Sequence, residues 1–152
     1  MPALPAPPTG RLDGPLHLFA VRVYHEDTDA TVRVYHGAYL RWFERARSDI
    51  LELLGIDQRA AIERGDGFYV VSELAIRYLA PALLGDTVII ETTCREARSA
   101  SARMTQVAIQ DGARLCVAQV RVGFVGPDGR AKAQPQAWRS AFASIVTDTE
   151  RL

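Results

Sequence analysis

The 152-residue chain carries 18 basic and 18 acidic side chains and no formal net charge, which excludes a global field that would gather nucleic acid or an anionic membrane surface. With 48% hydrophobic residues, one domain of this length buries about two-thirds of its unfolded surface without disulfides or metal. No apolar run has the length of a membrane span, and the start lacks a basic region followed by a hydrophobic stretch, so the sequence reads as neither secreted nor integral to a membrane.

Residues 1–15 hold Pro2, Pro5, Pro7, Pro8 and Pro15 with few large apolar side chains, a composition that predicts a disordered N-terminal tail. From Leu16 to His25 the apolar residues Leu18, Ala20, Val21, Val23 and Tyr24 predict a strand. His17, at its edge with no carboxylate or cysteine arranged around it, reads as a surface residue. The strand runs into an acidic turn, Glu26-Asp27-Thr28-Asp29.

The longest helix pattern follows, from about Tyr39 to Leu54. Tyr39, Phe43, Ala46, Ile50 and Leu53 fall on one stripe, widened by Trp42 and Leu54, and the spacings Arg45 to Asp49 and Arg41 to Glu44 predict exposed ion pairs. Gly55 supplies a left-handed stop, with Ile56 covering the helix end. Asp57 to Gly65 is less regular, with a helical turn around Ala60 to Ile62 before Gly65-Asp66-Gly67 breaks the chain.

Four strands come next: Phe68 to Tyr78, closed by Pro81; Thr87 to Cys94; Ala102 to Gln110; and Arg114 to Val125. Asp111-Gly112 is a hairpin signal between the last two, and Pro127-Asp128-Gly129 ends the run. Cys94 and Cys116 sit in these strands without CxxC or zinc spacing and read as small apolar fillers in a reducing, cytoplasmic compartment. Pro135 then opens a short helix with Ala137, Trp138, Ala141, Phe142 and Ile145 at helical spacing, and residues 147–152 form a C-terminal tail. One long helix followed by antiparallel strands predicts an α+β domain over residues 16–146, the helix packed on a single curved sheet.

A carboxylate beside a helix start is a place to attack a carbonyl. Unpaired N–H groups and the partial positive charge of the helix hold a developing oxyanion, while Asp29 serves as nucleophile or as general base. The alternative is that Asp27 and Asp29 only shape a turn and cap helix-end amides. One extended residue separates the two carboxylates, so they can face the same way and resist joint ionisation. His25, Glu26, Asp27, Asp29 and His36 match no zinc or iron spacing, so no metal site is expected.

Glu26-Asp27-Thr28-Asp29, Tyr35-His36 and Phe43-Glu44-Arg45-Ala46-Arg47 together resemble the signature of YbgC-type acyl-CoA thioesterases, the 4-hydroxybenzoyl-CoA thioesterase-like branch of the hotdog superfamily. The similarity continues through Tyr78-Leu79-Ala80-Pro81-Ala82 and Gly85-Asp86 to about Phe124. It implies a hotdog fold, an antiparallel sheet wrapped around a long central helix, that hydrolyses an acyl-CoA to a carboxylic acid and free coenzyme A without metal or redox cofactor. By the same resemblance Asp29 is the catalytic carboxylate, Asp27 its helper, and the amide and ring of His36 act on the thioester carbonyl. Tyr35 and Tyr39 line the acyl pocket or the core. His25 stands where the family usually has an aromatic residue.

Arg95, Arg98, Ser99 and Arg103 are the local candidates for the coenzyme phosphates. The family pairs two domains through a continuous sheet and assembles dimers further into tetramers, so a homodimer or homotetramer is implied. Its association with the Tol-Pal system makes that system, or an acyl carrier protein, a candidate partner, and leaves a non-catalytic scaffold and an acyl-carrier-protein thioesterase as rival readings. The chain departs from the family at Thr31-Val32-Arg33, where Gly-Gly is usual. Glycine there allows positive φ and close backbone approach, so the departure bears on loop shape and substrate range.

Overall fold

The computed structural model describes residues 1–148. Its elements run β1 (Arg11–Asp13), β2 (Leu16–Arg22), a single 3-10 turn (His25–Asp27), α1 (Ala38–Leu53), α2 (Gln58–Arg64), β3 (Phe68–Tyr78), β4 (Thr87–Ala97), β5 (Ser101–Gln110), β6 (Ala113–Val125) and α3 (Gln136–Ala143). The six strands form one antiparallel sheet in the order β1-β2-β4-β5-β6-β3.

The inner face of that sheet follows the period of two that strands impose. Val88, Ile90, Thr92 and Cys94 of β4 are buried, as are Ala102, Met104, Gln106 and Ala108 of β5 and Cys116, Ala118, Val120, Val122 and Phe124 of β6. Against it α1 buries Ala38, Tyr39, Trp42, Phe43, Ala46, Ile50 and Leu51. The expected α+β arrangement of one sheet around a central helix is therefore present. One detail differs: Leu53, in the last turn of α1, is exposed, and Leu51 is buried instead, sharing a small cavity wall with Tyr69 and Phe142.

A polar strut joins helix and sheet. Gln106 is fully buried; its Nε2 donates to the Phe43 carbonyl at 2.9 Å and to Thr92 Oγ1 at 3.0 Å, and its Oε1 accepts from Arg47 Nη1 at 2.7 Å. Each polar group of the side chain is used, as a buried amide requires.

The turn signals hold. Gly55 takes φ 76°, and the Ile56 N–H donates to the Leu51 carbonyl to close α1. Asp111 and Gly112 both have positive φ, 48° and 78°, the geometry of a two-residue hairpin turn. Pro135 precedes α3, which buries Trp138 and Phe142 beside Tyr69 and Phe124.

His17 is not a surface residue. It is fully buried, with Nε2 2.6 Å from Asp49 Oδ2 on α1. The same carboxylate accepts from Thr9 Oγ1 and from the Gly10 N–H, both at 2.9 Å. Asp49 lies 32 residues away, so no local reading of the chain around His17 shows it. With Asp49 so engaged, the expected helix-surface pairs do not form: Arg41 faces Asp27 at 3.4 Å, and Glu44 accepts from Arg47 and Ser48. The sheet also begins before Leu16, at Arg11, within the stretch whose composition predicts disorder. Most of the expected 147–152 tail lies outside the described residues.

Candidate active site

β2 ends at Arg22, and the chain is held at Val23, which is buried and donates its N–H to the Asp86 carbonyl. The 3-10 turn follows, closed by Asp27. This carboxylate is 5% exposed; Oδ2 accepts from the Tyr24 N–H at 2.9 Å, and Oδ1 faces Arg41. Asp27 thus shapes the turn, the role that short-range capping by Asp predicts. His25 opens the turn and offers its carbonyl to the N–H and hydroxyl of Thr28.

The chain then folds back on itself. Thr28 bridges Val34, the Asp29 N–H donates to the Arg33 carbonyl, and the Tyr35 N–H donates to the Asp27 carbonyl. At the tip Val32 adopts φ 63° and donates to the Asp29 carbonyl. The position where the family commonly has glycine therefore keeps a glycine-like conformation with a β-branched side chain in it.

Asp29 is exposed at this tip, and its Oδ1 accepts from the Thr31 hydroxyl at 2.6 Å and the Thr31 N–H at 2.8 Å. These bonds, the hydroxyl first, hold its carboxyl below the ordinary carboxylate range, with a smaller contribution from Arg33, because hydrogen bonds to the charged form favour it. Asp27 is not among the groups that set it. The two carboxylates have separated into a buried turn-former and an exposed, ionised group.

Beyond Tyr35 the helix starts. The Ala38 N–H donates to the Tyr35 carbonyl at 2.9 Å and the Leu40 N–H to the Gly37 carbonyl at 3.2 Å. Among the described residues the N–H groups of His36 and Gly37 have no partner, the ordinary state of a helix's first donors. Tyr35 is half exposed with its ring 4.3 Å from that of His36, whereas Tyr39 is buried against Trp42 and Tyr78. Tyr39 thus belongs to the core and Tyr35 to the open side of the site.

Tyr78, the last residue of β3, enters without having been singled out as a site residue. Its hydroxyl donates to the His36 carbonyl at 2.9 Å and its ring lies edge-on to His36 and Tyr39. In sequence the only signal was its place at the head of the Tyr-Leu-Ala-Pro run.

The phosphate candidates divide. Arg95, Arg98 and Ser99 line a cleft of about 550 Å³ that also takes in Arg139 of α3. Arg98 Nε donates to Glu96 at 2.6 Å and Arg95 donates to the Asp148 carbonyl at 3.1 Å. Arg103 is outside the cleft wall, between Glu73 at 3.5 Å and Glu96 at 3.4 Å.

Fold and site together define a hotdog protein with an exposed carboxylate, Asp29, in the loop that leads to the start of α1. The sequence model of the Thioesterase superfamily matches residues 33–117, and the chain belongs to that superfamily. It is similar to the acyl-CoA thioesterase YbgC of Haemophilus influenzae, 39% identical over 126 residues that cover 82% of this chain and 92% of that protein. Among solved structures, a probable thioesterase from Bartonella henselae is 30% identical, with a TM-score of 0.74 and coverage of 79% of this chain and 99% of that one. The Staphylococcus aureus protein SAV2348, at 13% identity, shares the fold with a TM-score of 0.82 over 97% of this chain and 92% of its own.

Proposed function

We propose that the protein is an acyl-CoA thioesterase in which Asp29 carries the chemistry. The observation that supports this most is the division of the acidic turn: Asp27 is consumed in shaping it, while Asp29 is left exposed and ionised, on a tip that leads to the free N–H groups of His36 and Gly37, seven and eight residues on. The similarity to YbgC thioesterases over most of the chain supports the substrate class.

In this reading the thioester oxygen sits at the start of α1, where the N–H groups and the positive end of the helix stabilise the charge that forms on it. Asp29 then acts in one of two ways. As nucleophile it attacks the carbonyl carbon, the C–S bond breaks, the coenzyme leaves as thiolate and takes a proton, and water hydrolyses the mixed anhydride. As general base it takes a proton from the attacking water, and the thiolate leaves from the tetrahedral intermediate. His36 orients water or substrate through its ring, and Tyr35 borders the acyl group. The Arg95, Arg98 and Ser99 cleft receives phosphate groups of the coenzyme.

The open edge strand β3, with Phe68, Val70, Val71 and Leu74 exposed, supports pairing of two copies across it, since a bare apolar edge otherwise invites uncontrolled association. Val32 holds a positive φ, a conformation that glycine also adopts readily, at the position where the resembled family usually has glycine.

The test is hydrolysis of a panel of acyl-CoA thioesters of short, long and aromatic acyl groups by the wild type, Asp29→Asn and Asp29→Ala. Turnover by the wild type with a loss of at least about a hundredfold in both variants is expected. Near-wild-type rates in the variants would remove Asp29 from the mechanism, and no turnover of any member by the wild type would remove the activity.

A further inference from the structure

Two successive peptide units at the start of α1 are each tied at the carbonyl and free at the amide. The Tyr35–His36 unit is tied by the Ala38 N–H, which donates to the Tyr35 carbonyl at 2.9 Å. The His36–Gly37 unit is tied by the Tyr78 hydroxyl, which donates to the His36 carbonyl at 2.9 Å. A trans peptide is planar, with its C=O and N–H pointing in opposite directions. Holding the two carbonyls therefore aims the two amides, those of His36 and Gly37, and neither has a partner among the described residues.

The first tie is the helix's own and comes with any helix. The second comes from the far end of a strand 42 residues away, and the site's ring packing fixes where that hydroxyl sits. The Tyr78 ring is edge-on to Tyr39 at 5.8 Å and to His36 at 6.3 Å, and Tyr39 in turn is buried against Trp42. Desolvation first, with Cys116 and Tyr35 adding to it, holds the Tyr78 hydroxyl above its ordinary pKa, so it stays protonated and a donor throughout the neutral range. Gly37 adds a second condition. A Cβ at that position would stand 2.6 Å from the half-exposed Tyr35 ring, which would have to turn away from His36.

We infer that Tyr78 is a positioning residue for the reaction, aiming the Gly37 N–H so that it joins the His36 N–H as a second donor to the thioester oxygen. This rests on the reading of the protein as a thioesterase with its carbonyl at the start of α1. A donor aimed at the oxyanion matters far more in the transition state than in the ground state, and loss of one such donor typically costs about 10²–10³ in kcat. A donor still present but no longer aimed costs less, about tenfold or more.

The experiment compares the wild type with Tyr78→Phe, which removes the hydroxyl and keeps the ring. Turnover is measured on the best acyl-CoA of the panel, and the ¹⁵N order parameter of the Gly37 amide is measured by NMR relaxation without substrate. The expected result is a fall in kcat of about tenfold or more with KM within about threefold, an acid limb of the pH profile that stays where it was because Asp29 is untouched, and a lower order parameter at Gly37. A kcat within twofold of wild type, or an unchanged Gly37 order parameter, overturns the inference; so does a parallel change in kcat and KM tracking a lower Tm, which is the mark of a structural role only. If the wild type turns over no thioester, the functional reading fails separately, and the Gly37 order parameter still decides whether Tyr78 sets that peptide.

Discussion

Thr31 gives both its hydroxyl and its backbone N–H to one oxygen of Asp29, at 2.6 and 2.8 Å, so the residue that replaces a family glycine also tunes the proposed catalytic carboxylate. The hydroxyl is the largest cause of the lowered Asp29 pKa. Thr31→Val removes it and keeps the backbone donor. Asp29 must be ionised to act, so a lowered pKa keeps the enzyme active further into acid, and the variant's pKa rises. The acid limb of kcat/KM is therefore expected to move to higher pH, with variant and wild-type rates converging above neutrality. A pH profile from 3 to 9 measures it; an acid limb that stays put would show that the hydroxyl does not control the carboxylate. A depressed folded-state pKa adds stability above the unfolded value that is lost as pH falls through the folded one, but Asp29 is fully exposed, and no change in melting is expected.

Val32 holds φ 63°, a left-handed conformation that costs an L-residue about 1–2 kcal/mol and is least natural for a β-branched side chain. Val32→Gly relieves that strain at the cost of about 0.5–1 kcal/mol of added unfolded-state entropy. The net expectation is a stabilisation of up to about 1 kcal/mol, seen as a rise in Tm of about 2–4 °C. Calorimetry of the two proteins decides it; a lower Tm for the glycine variant would mean that the Val32 side chain contributes contacts outweighing its strain.

The elements were legible in the sequence where a single local rule applied. Period-two burial located β4, β5 and β6, Asp111-Gly112 marked its hairpin, and Gly55 and Ile56 ended α1 as capping chemistry requires. What sequence reading missed is long-range. His17 is buried because of Asp49, 32 positions on, and Tyr78 reaches the site across 42. The exposure of β3 was also missed: its apolar residues suit a half-buried strand, but a strand at the edge of a sheet has no neighbour on one side to cover them. Asp29 stood out through its motif, whereas its separation from Asp27 needed the backbone geometry of the turn.

The Asp49 carboxylate clamps three donors, His17 Nε2, the Gly10 N–H and Thr9 Oγ1, and thereby ties the N-terminal arm to α1. Asp49→Ala leaves the His17 ring buried without its acceptor, a loss of about 2–3 kcal/mol, readable as a lower urea midpoint. It also releases β1, so trypsin is expected to cut after Arg11 faster than in the wild type. Gly10→Ala is the milder probe. Its Cβ would lie 2.3 Å from the Leu18 carbonyl oxygen, so the arm must shift, and faster cleavage after Arg11 is expected with a smaller loss of stability. Cleavage rates equal to wild type in both variants would show that the arm is held by something other than this carboxylate.

Val71 and Leu74 are 52% and 42% exposed on β3, the edge strand, on either side of a register shift between Val71 and Glu73. Such an edge offers unpaired backbone groups beside apolar side chains, and a second copy running antiparallel to it would satisfy both. Arginine at both positions, Val71→Arg with Leu74→Arg, places like charges of the two copies against each other across a two-fold axis and desolvates them if the copies pair. Sedimentation equilibrium is expected to show an assembly of the 16.7 kDa chain in the wild type and a dissociation constant at least about tenfold weaker in the double variant, about 1.4 kcal/mol. Circular dichroism should be unchanged, because neither side chain is in the core. Tyr78 ends the same strand and holds the start of α1, so turnover is expected to fall as the assembly dissociates. An oligomer that survives the two arginines would place the interface on another surface.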